Sequence, residues 1–122
     1  MNTESENMEI VRRFNDALNA ADIETMTSLL SEDTVFENTD PAPDGARFTG
    51  RQNVRAFWDE FFRGSASASI EIEELFASAD RCTMRWTYRW RDPQGNDGHI
   101  RGVDVYRLRD GLIVEKLSYV KG

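Results

Sequence analysis

The stretch His99-Ile100-Arg101-Gly102-Val103-Asp104-Val105-Tyr106-Arg107-Leu108-Arg109-Asp110-Gly111-Leu112-Ile113-Val114-Glu115-Lys116-Leu117-Ser118-Tyr119-Val120 decides the fold. Two strand-like runs flank Asp110-Gly111, a dipeptide suited to a two-residue hairpin turn because both positions tolerate positive φ. A turn there predicts that Arg109 faces Leu112, Tyr106 faces Glu115, Asp104 faces Leu117 and Gly102 faces Tyr119. Directly opposed residues point to the same side of a sheet. One face then carries Ile100, Gly102, Asp104, Tyr106, Leu108, Ile113, Glu115, Leu117 and Tyr119. The other carries His99, Arg101, Val103, Val105, Arg107, Val114, Lys116 and Ser118. The first face is the more apolar at its centre, so it is expected to meet the rest of the fold.

Upstream, Cys82, Met84, Trp86, Tyr88 and Trp90 alternate with Thr83, Arg85, Thr87, Arg89 and Arg91, the period of a strand. Residues 92–98 read as a turn. Ile70 and Ile72 alternate with Glu71 and Glu73, and the apolar pair Leu75-Phe76 then predicts a bulge near Glu73-Glu74. Gly64-Ser65-Ala66-Ser67 reads as a turn. The N-terminal half is helical in pattern. Thr3-Glu4-Ser5-Glu6 has capping-box spacing, and Met8, Val11, Phe14, Ala17, Leu18 and Ala21 follow at helical period. Asp22 caps a shorter helix with Ile23, Met26, Leu29 and Leu30. Thr34 to Glu37 reads as a short strand, and residues 38–50, with Pro41, Pro43 and Gly45, as an irregular pocket rim. Gly50 leads into a third helix whose Val54, Phe57, Trp58, Phe61 and Phe62 form an aromatic face. The order ααβαββββ defines an α+β fold, a curved antiparallel sheet with three N-terminal helices enclosing a pocket.

Length and charge narrow the function. A chain of 122 residues is expected to form one domain over 1–122. Its net charge of −7 argues against nucleic acid and anionic membranes, which repel an acidic surface. The single Cys82 forms no internal disulfide, and no leader or spanning run is visible, so the expected location is cytoplasmic. One His and one Cys, without ligand spacing, give no metal site. No phosphate loop, dinucleotide fingerprint or nucleophile elbow is present. Any chemistry is therefore expected to be cofactor-free proton transfer on an organic molecule.

Asp104 is the most informative residue. It lies mid-strand between Val103 and Val105 on the apolar face, where an unpaired carboxylate must take up a proton or find a partner. It reads either as the pocket's general acid/base or as a structural carboxylate bonded to Tyr88, Tyr106 or Tyr119. On the first reading, Asp104→Asn is neutral or mildly stabilising at pH 7 and abolishes proton transfer. Glu115, diagonal to Asp104, is a candidate carboxylate partner; otherwise it reaches solvent. Trp58, Trp86, Tyr88, Tyr106, Leu117 and Tyr119 are the expected pocket lining, suited to a small apolar or aromatic molecule.

The segments Arg13-Phe14, Ala17 to Asp22, Asp33 to Glu37, Gly50-Arg51 and above all Gly102 to Glu115 resemble the nuclear transport factor 2-like superfamily. That superfamily has a cone-shaped fold, a cystatin-like roll, and includes ketosteroid isomerases and SnoaL-like polyketide cyclases. The resemblance implies a pocket closed by the helices and a homodimer formed through the outer sheet face, with Val103, Val105 and Val114 in the contact. Ketosteroid isomerases carry a tyrosine donor on the first helix and an aspartate base after the first strand. The matching positions here are Phe14 and Asn38, which supply neither a donor nor a base, so they pass to the lining. The protonated aspartate of those enzymes, which illustrates a carboxylic acid kept neutral by an apolar site, has its counterpart in Asp104. The SnoaL-like cyclases carry an acid/base aspartate at the same place, some with an upstream histidine. His99 is the candidate for that partner if a bulge at Gly102 turns it inward. Three functions stay open: an isomerase, cyclase or dehydratase using Asp104, a ligand-binding module without turnover, and a dimeric assembly domain with a vestigial pocket.

Overall fold

The computed structural model describes residues 3–64 and 68–121, so most of the Gly64 to Ser67 turn expected from the sequence lies outside the described residues. The chain runs α1 (Glu4–Asn19), α2 (Ile23–Ser28), β1 (Leu30–Glu37), β2 (Arg47–Thr49), α3 (Arg51–Gly64), β3 (Ala68–Ser78), β4 (Arg81–Arg91), β5 (Asp97–Arg109) and β6 (Leu112–Val120). The α+β fold and its three helices are as the sequence implies. Helix α1 starts on the capping box: Thr3 Oγ1 accepts from the Glu6 amide at 3.1 Å, and Glu6 Oε1 accepts from the Thr3 amide at 3.0 Å. Ala21, at φ 54, turns the chain, and the Asp22 carboxylate caps α2.

Strand β1 begins four residues earlier than expected, and β2 was not expected at all. The polar triplet Ser31-Glu32-Asp33 hides the start of β1, where the pairing itself shifts between Leu30 and Val35. Strand β2 is three residues long and joins β1 through Val35–Thr49, Phe36–Phe48 and Glu37–Arg47. The six strands lie in the order β2-β1-β6-β5-β4-β3. All neighbours are antiparallel except β1 and β6, which run parallel. Helix α1 guards the free edge of β3, because the Asn19 side chain donates to Ile70 O at 2.9 Å and accepts from Ile70 N at 2.8 Å.

Both bulges matter. The expected one in β3 falls between Ile72 and Glu74. It places Glu73 on the outer face, where it accepts from Arg101 Nη2 at 2.8 Å and Thr87 Oγ1 at 2.7 Å. The Arg101 guanidinium, helped by the Thr87 hydroxyl, pulls the Glu73 carboxyl down to about 2. The second bulge corrects the sequence register. Arg109 pairs with Leu112 and Leu108 with Ile113, but Arg107 then pairs with Glu115. Val114 is the extra residue, and Thr34 Oγ1 holds the kink by donating to Ile113 O at 2.9 Å. Beyond it Tyr106 faces Lys116, Asp104 faces Ser118 and Gly102 faces Val120. A one-residue slip exchanges the two faces of a strand. Lys116 and Ser118 thus point inward, while Glu115, Leu117 and Tyr119 point outward.

The inner face packs on the helices through Val11, Phe14, Met26, Val54, Trp58, Cys82, Met84, Trp86, Tyr106, Leu108 and Ile113, all buried. Gly102 lets Trp86 lie flat across β5: a Cβ there would meet Tyr119 O at 2.3 Å and Trp86 Cζ2 at 2.5 Å. Burial pushes the Cys82 thiol up to about 11, so this cysteine is an inert core residue.

Candidate functional site

A cavity of about 320 Å³ opens between α3 and the inner sheet face, within the range of small-molecule sites. Phe57, Trp58 and Phe61 from α3 form one wall. Trp86, Tyr88 and Ile100 form the other, and Asn38, Thr39 and Asp40 form the rim. Asp104, Lys116 and Ser118 make a polar floor. The aromatic wall follows from the helical spacing of α3 and the strand spacing of β4. The floor follows from the Val114 bulge.

The floor is an ion pair set in a buried chain of hydrogen bonds. Lys116 Nζ lies 3.2 Å from Asp104 Oδ2, with the two side chains 8% and 1% exposed. Lys116 Nζ also donates to Ser118 Oγ at 3.1 Å. Tyr106 Oη donates to Asp104 Oδ2 at 3.2 Å and accepts from Asn15 Nδ2 at 3.1 Å. Burial, together with the negative charge of Asp104, drives the Tyr106 phenol well above its ordinary value, so its proton stays committed to the carboxylate. Asp104 Oδ1 has no hydrogen-bond partner among the described residues, and neither has Trp58 Nε1 or Trp86 Nε1. The Lys116 ammonium sits 4.5 Å from the centroid of the Phe36 ring, 5.7 Å from Trp58 and 5.9 Å from Tyr106. Rings at those distances stabilise a cation through their negative faces.

The structure sorts the residues expected from sequence into three groups. Asp104, Asn38, Trp58, Trp86 and Tyr88 line the cavity. Phe14 and Tyr106 are wholly buried behind it, Phe14 edge-on to Trp58 at 6.5 Å. Leu117, Tyr119, Glu115 and His99 are corrections. The Val114 bulge carries Leu117 and Tyr119 to the outer face, where Tyr119 is 56% exposed. Glu115 is carried out with them and lies 3.6 Å from Arg81 Nη1 instead of near Asp104. Strand β5 runs regularly through Gly102, so His99 stays outside opposite Arg89. Val114, expected in an outer contact, is buried. The Asn38 amide closes its own loop by accepting from Ala46 N at 2.7 Å. Phe14 thus lies behind the cavity and Asn38 at its rim, and neither side chain carries a hydroxyl or a carboxylate.

Lys116, Ser118 and Asn15 were missed. A signal for the first two existed. Leu112-Ile113-Val114 is a run of successive apolar residues that breaks alternation, the same signature that marks the β3 bulge at Leu75-Phe76.

Among the described residues no group of His, Cys, Asp and Glu could hold a metal ion, and no helix is long and apolar enough to cross a membrane. The fold and its cavity define a nuclear transport factor 2-like α+β cone with a small internal pocket. The sequence profile of the SnoaL-like domain matches residues 11–116, and the chain belongs to that family. A nuclear transport factor 2-like protein of unknown function from Mesorhizobium loti is similar over 100% of this chain and 96% of its own, with 40% identity and a TM-score of 0.82. An LEH-like epoxide hydrolase from Mycobacterium tuberculosis shares 19% identity over 97% of this chain and 84% of its own, with a TM-score of 0.83. A protein of ketosteroid isomerase-like fold from Catenulispora acidiphila, solved with trimethylamine, shares 17% identity over 91% of this chain and 84% of its own, with a TM-score of 0.81. No curated protein matches the chain significantly.

Proposed function

We propose that this single SnoaL-like domain takes a small, mostly apolar organic molecule into its cavity and performs cofactor-free proton transfer on it, with Asp104 as the acid/base. The observation that carries this reading is the asymmetry of the Asp104 carboxylate. Oδ2 is held by Tyr106 and Lys116, while Oδ1 is buried with no hydrogen-bond partner among the described residues, on a side chain that lines a largely aromatic cavity. A carboxylate fixed through one oxygen keeps the lone pairs of the other for a substrate proton. An apolar cavity strips that oxygen of competing water. The trimethylamine complex of the Catenulispora protein supports the use of such a fold to hold a small organic molecule. The single buried Cys82 fits a reducing, cytoplasmic setting.

A general-base probe tests the reading without knowledge of the natural substrate. In 5-nitrobenzisoxazole the ring C–H proton passes to a base as the N–O bond breaks, giving a coloured cyanophenolate. Wild type is expected to accelerate this elimination at least tenfold over the double variant Asp104→Asn, Lys116→Met, which removes both charges together. Equal rates would overturn the assignment. Turnover lost with probe binding kept would define the alternative, a ligand-binding module, for which the closed Asp104–Lys116 pair is the favouring observation.

We also propose a homodimer through the outer sheet face. The register correction strengthens this reading, because Leu117 and Tyr119 now lie directly beside Val105 and Val103. Arg85, Arg101 and Arg107 surround this apolar strip, an apolar centre with a polar rim. Light scattering is expected to give twice the 14.0 kDa chain mass at micromolar concentration, and Leu117→Asp to halve it. A 14.0 kDa wild-type species would reject the dimer.

A further inference from the structure

We infer that Lys116 sets the ligand selectivity of the cavity: it closes the site to organic cations and, with Ser118, presents donors to a neutral ligand carrying a carbonyl-type acceptor oxygen. The inference rests on the proposed small-molecule reading of the same cavity and adds the chemical class of its ligand.

Phe36, Trp58 and Tyr106 enclose a position that suits a cation, and the protein fills it with its own ammonium, 4.5 Å from the Phe36 centroid. A ligand cation finds that position taken: it reaches these rings only by displacing the ammonium and breaking its pair with Asp104. An organic anion fares no better. Asp104 lies in the floor, Asp40 stands at the rim, and the chain carries a net charge of −7. Asp104 and Lys116 already neutralise one another at 3.2 Å, so a neutral ligand leaves the buried charge balanced.

Two groups of the polar floor, Lys116 and Ser118, have a donor to spare. Ser118 Oγ accepts from Lys116, which leaves its own O–H to donate. Lys116 has three N–H bonds, and Asp104 and Ser118 engage two directions. These two donors under aromatic walls are satisfied by a flat molecule with an acceptor oxygen directed at Lys116 and Ser118. A hydrocarbon of the same shape leaves those donors unanswered, and unmade hydrogen bonds in a buried site cost affinity.

Three probes of one shape test this: acetophenone, ethylbenzene and phenyltrimethylammonium. Binding is followed by the backbone and indole N–H resonances of wild type, and the bound carbonyl by its infrared stretch. Acetophenone is expected to bind about tenfold tighter than ethylbenzene, the effect of one to two well-placed hydrogen bonds. Its carbonyl stretch is expected to move to lower frequency than in an apolar solvent. Phenyltrimethylammonium should not bind measurably. Ser118→Ala should reduce the ketone preference to about twofold and return part of the carbonyl shift. The double variant Asp104→Asn, Lys116→Met should erase the preference and admit the cation. Equal binding of ketone and hydrocarbon to wild type, an unshifted carbonyl, or wild-type binding of the cation would each overturn the inference. The benzisoxazole elimination reports proton abstraction and not ketone selectivity. Turnover without ketone selectivity refutes this inference only, and selectivity without turnover refutes the proton-transfer reading only.

Discussion

Asp104→Asn is expected to lower the unfolding free energy by about 3–5 kcal/mol at pH 7, the scale for removing one partner of a buried ion pair. The sequence alone led to the opposite expectation, since a carboxylate with no cation near it is relieved by neutralisation. Lys116 changes the sign. Its side chain is 8% exposed, and Asp104 is the carboxylate within ion-pair reach among the described residues. With asparagine in place, Ser118 and the surrounding rings must hold the charge alone, and rings compensate only part of the lost Coulomb energy. Tyr106 also loses the anionic acceptor of its O–H. Lys116→Met should be costly for the mirror reason, because it leaves a buried carboxylate supported by one phenol. The double variant should cost much less than the sum of the two, with a coupling energy of about 2–3 kcal/mol. Urea denaturation of the four forms at pH 7 measures the cycle. A loss below about 1 kcal/mol for Asp104→Asn would show that the floor is wet enough to screen the lysine, as at an exposed ion pair.

The fold was largely legible because its signals are local. Thr3 and Glu6 mark the start of α1 whatever packs against it. Cys82 to Trp90 alternate strictly because one side of β4 is core and the other is outer surface. The site was half legible. Trp58, Trp86 and Tyr88 announce themselves by size and by spacing. Asp104 announces itself as a charge among β-branched neighbours. The missed half hangs on Val114. A hairpin turn fixes register only as far as the strands remain regular, and one extra residue inverts every assignment beyond it. A lysine is also a poor candidate for an inward residue, since long basic side chains usually carry their charge to water. Lys116 does not, because Asp104 and Phe36 receive it inside. Depth was the remaining gap. Face assignment tells which side Phe14 and Tyr106 point to, not that Trp58 and Asp104 stand between them and the cavity.

Trp58→Ala is the second large effect, an expected loss of about 3–5 kcal/mol. Trp58 is 5% exposed and its indole joins five phenylalanine rings from α1, α3 and β1. Its centroid lies 5.4 Å from Phe36, 5.0 Å from Phe57 and 5.2 Å from Phe61, with Phe62 at 6.0 Å and Phe14 at 6.5 Å. Offset and edge-on ring contacts of this kind add to the area buried. Removal would therefore do more than expose apolar surface. The existing cavity would extend toward Phe14, and α3 would keep only Phe57 against the Phe36 ring of β1. Three of the neighbouring rings are fixed on α3 itself and the other two on α1 and β1, so they cannot all move in to refill the space. Lys116 would also lose one ring of its enclosure. Trp58→Phe separates these terms. It keeps most of the ring contacts and deletes an indole N–H that has no acceptor, so it is expected to cost less than about 1.5 kcal/mol. Urea midpoints of both variants, with unchanged m-values, give the comparison. A Trp58→Ala loss no larger than that of Trp58→Phe would mean that α3 settles onto the sheet without the indole. Trp58 would then be a wall of the cavity and not the anchor of the helix above it.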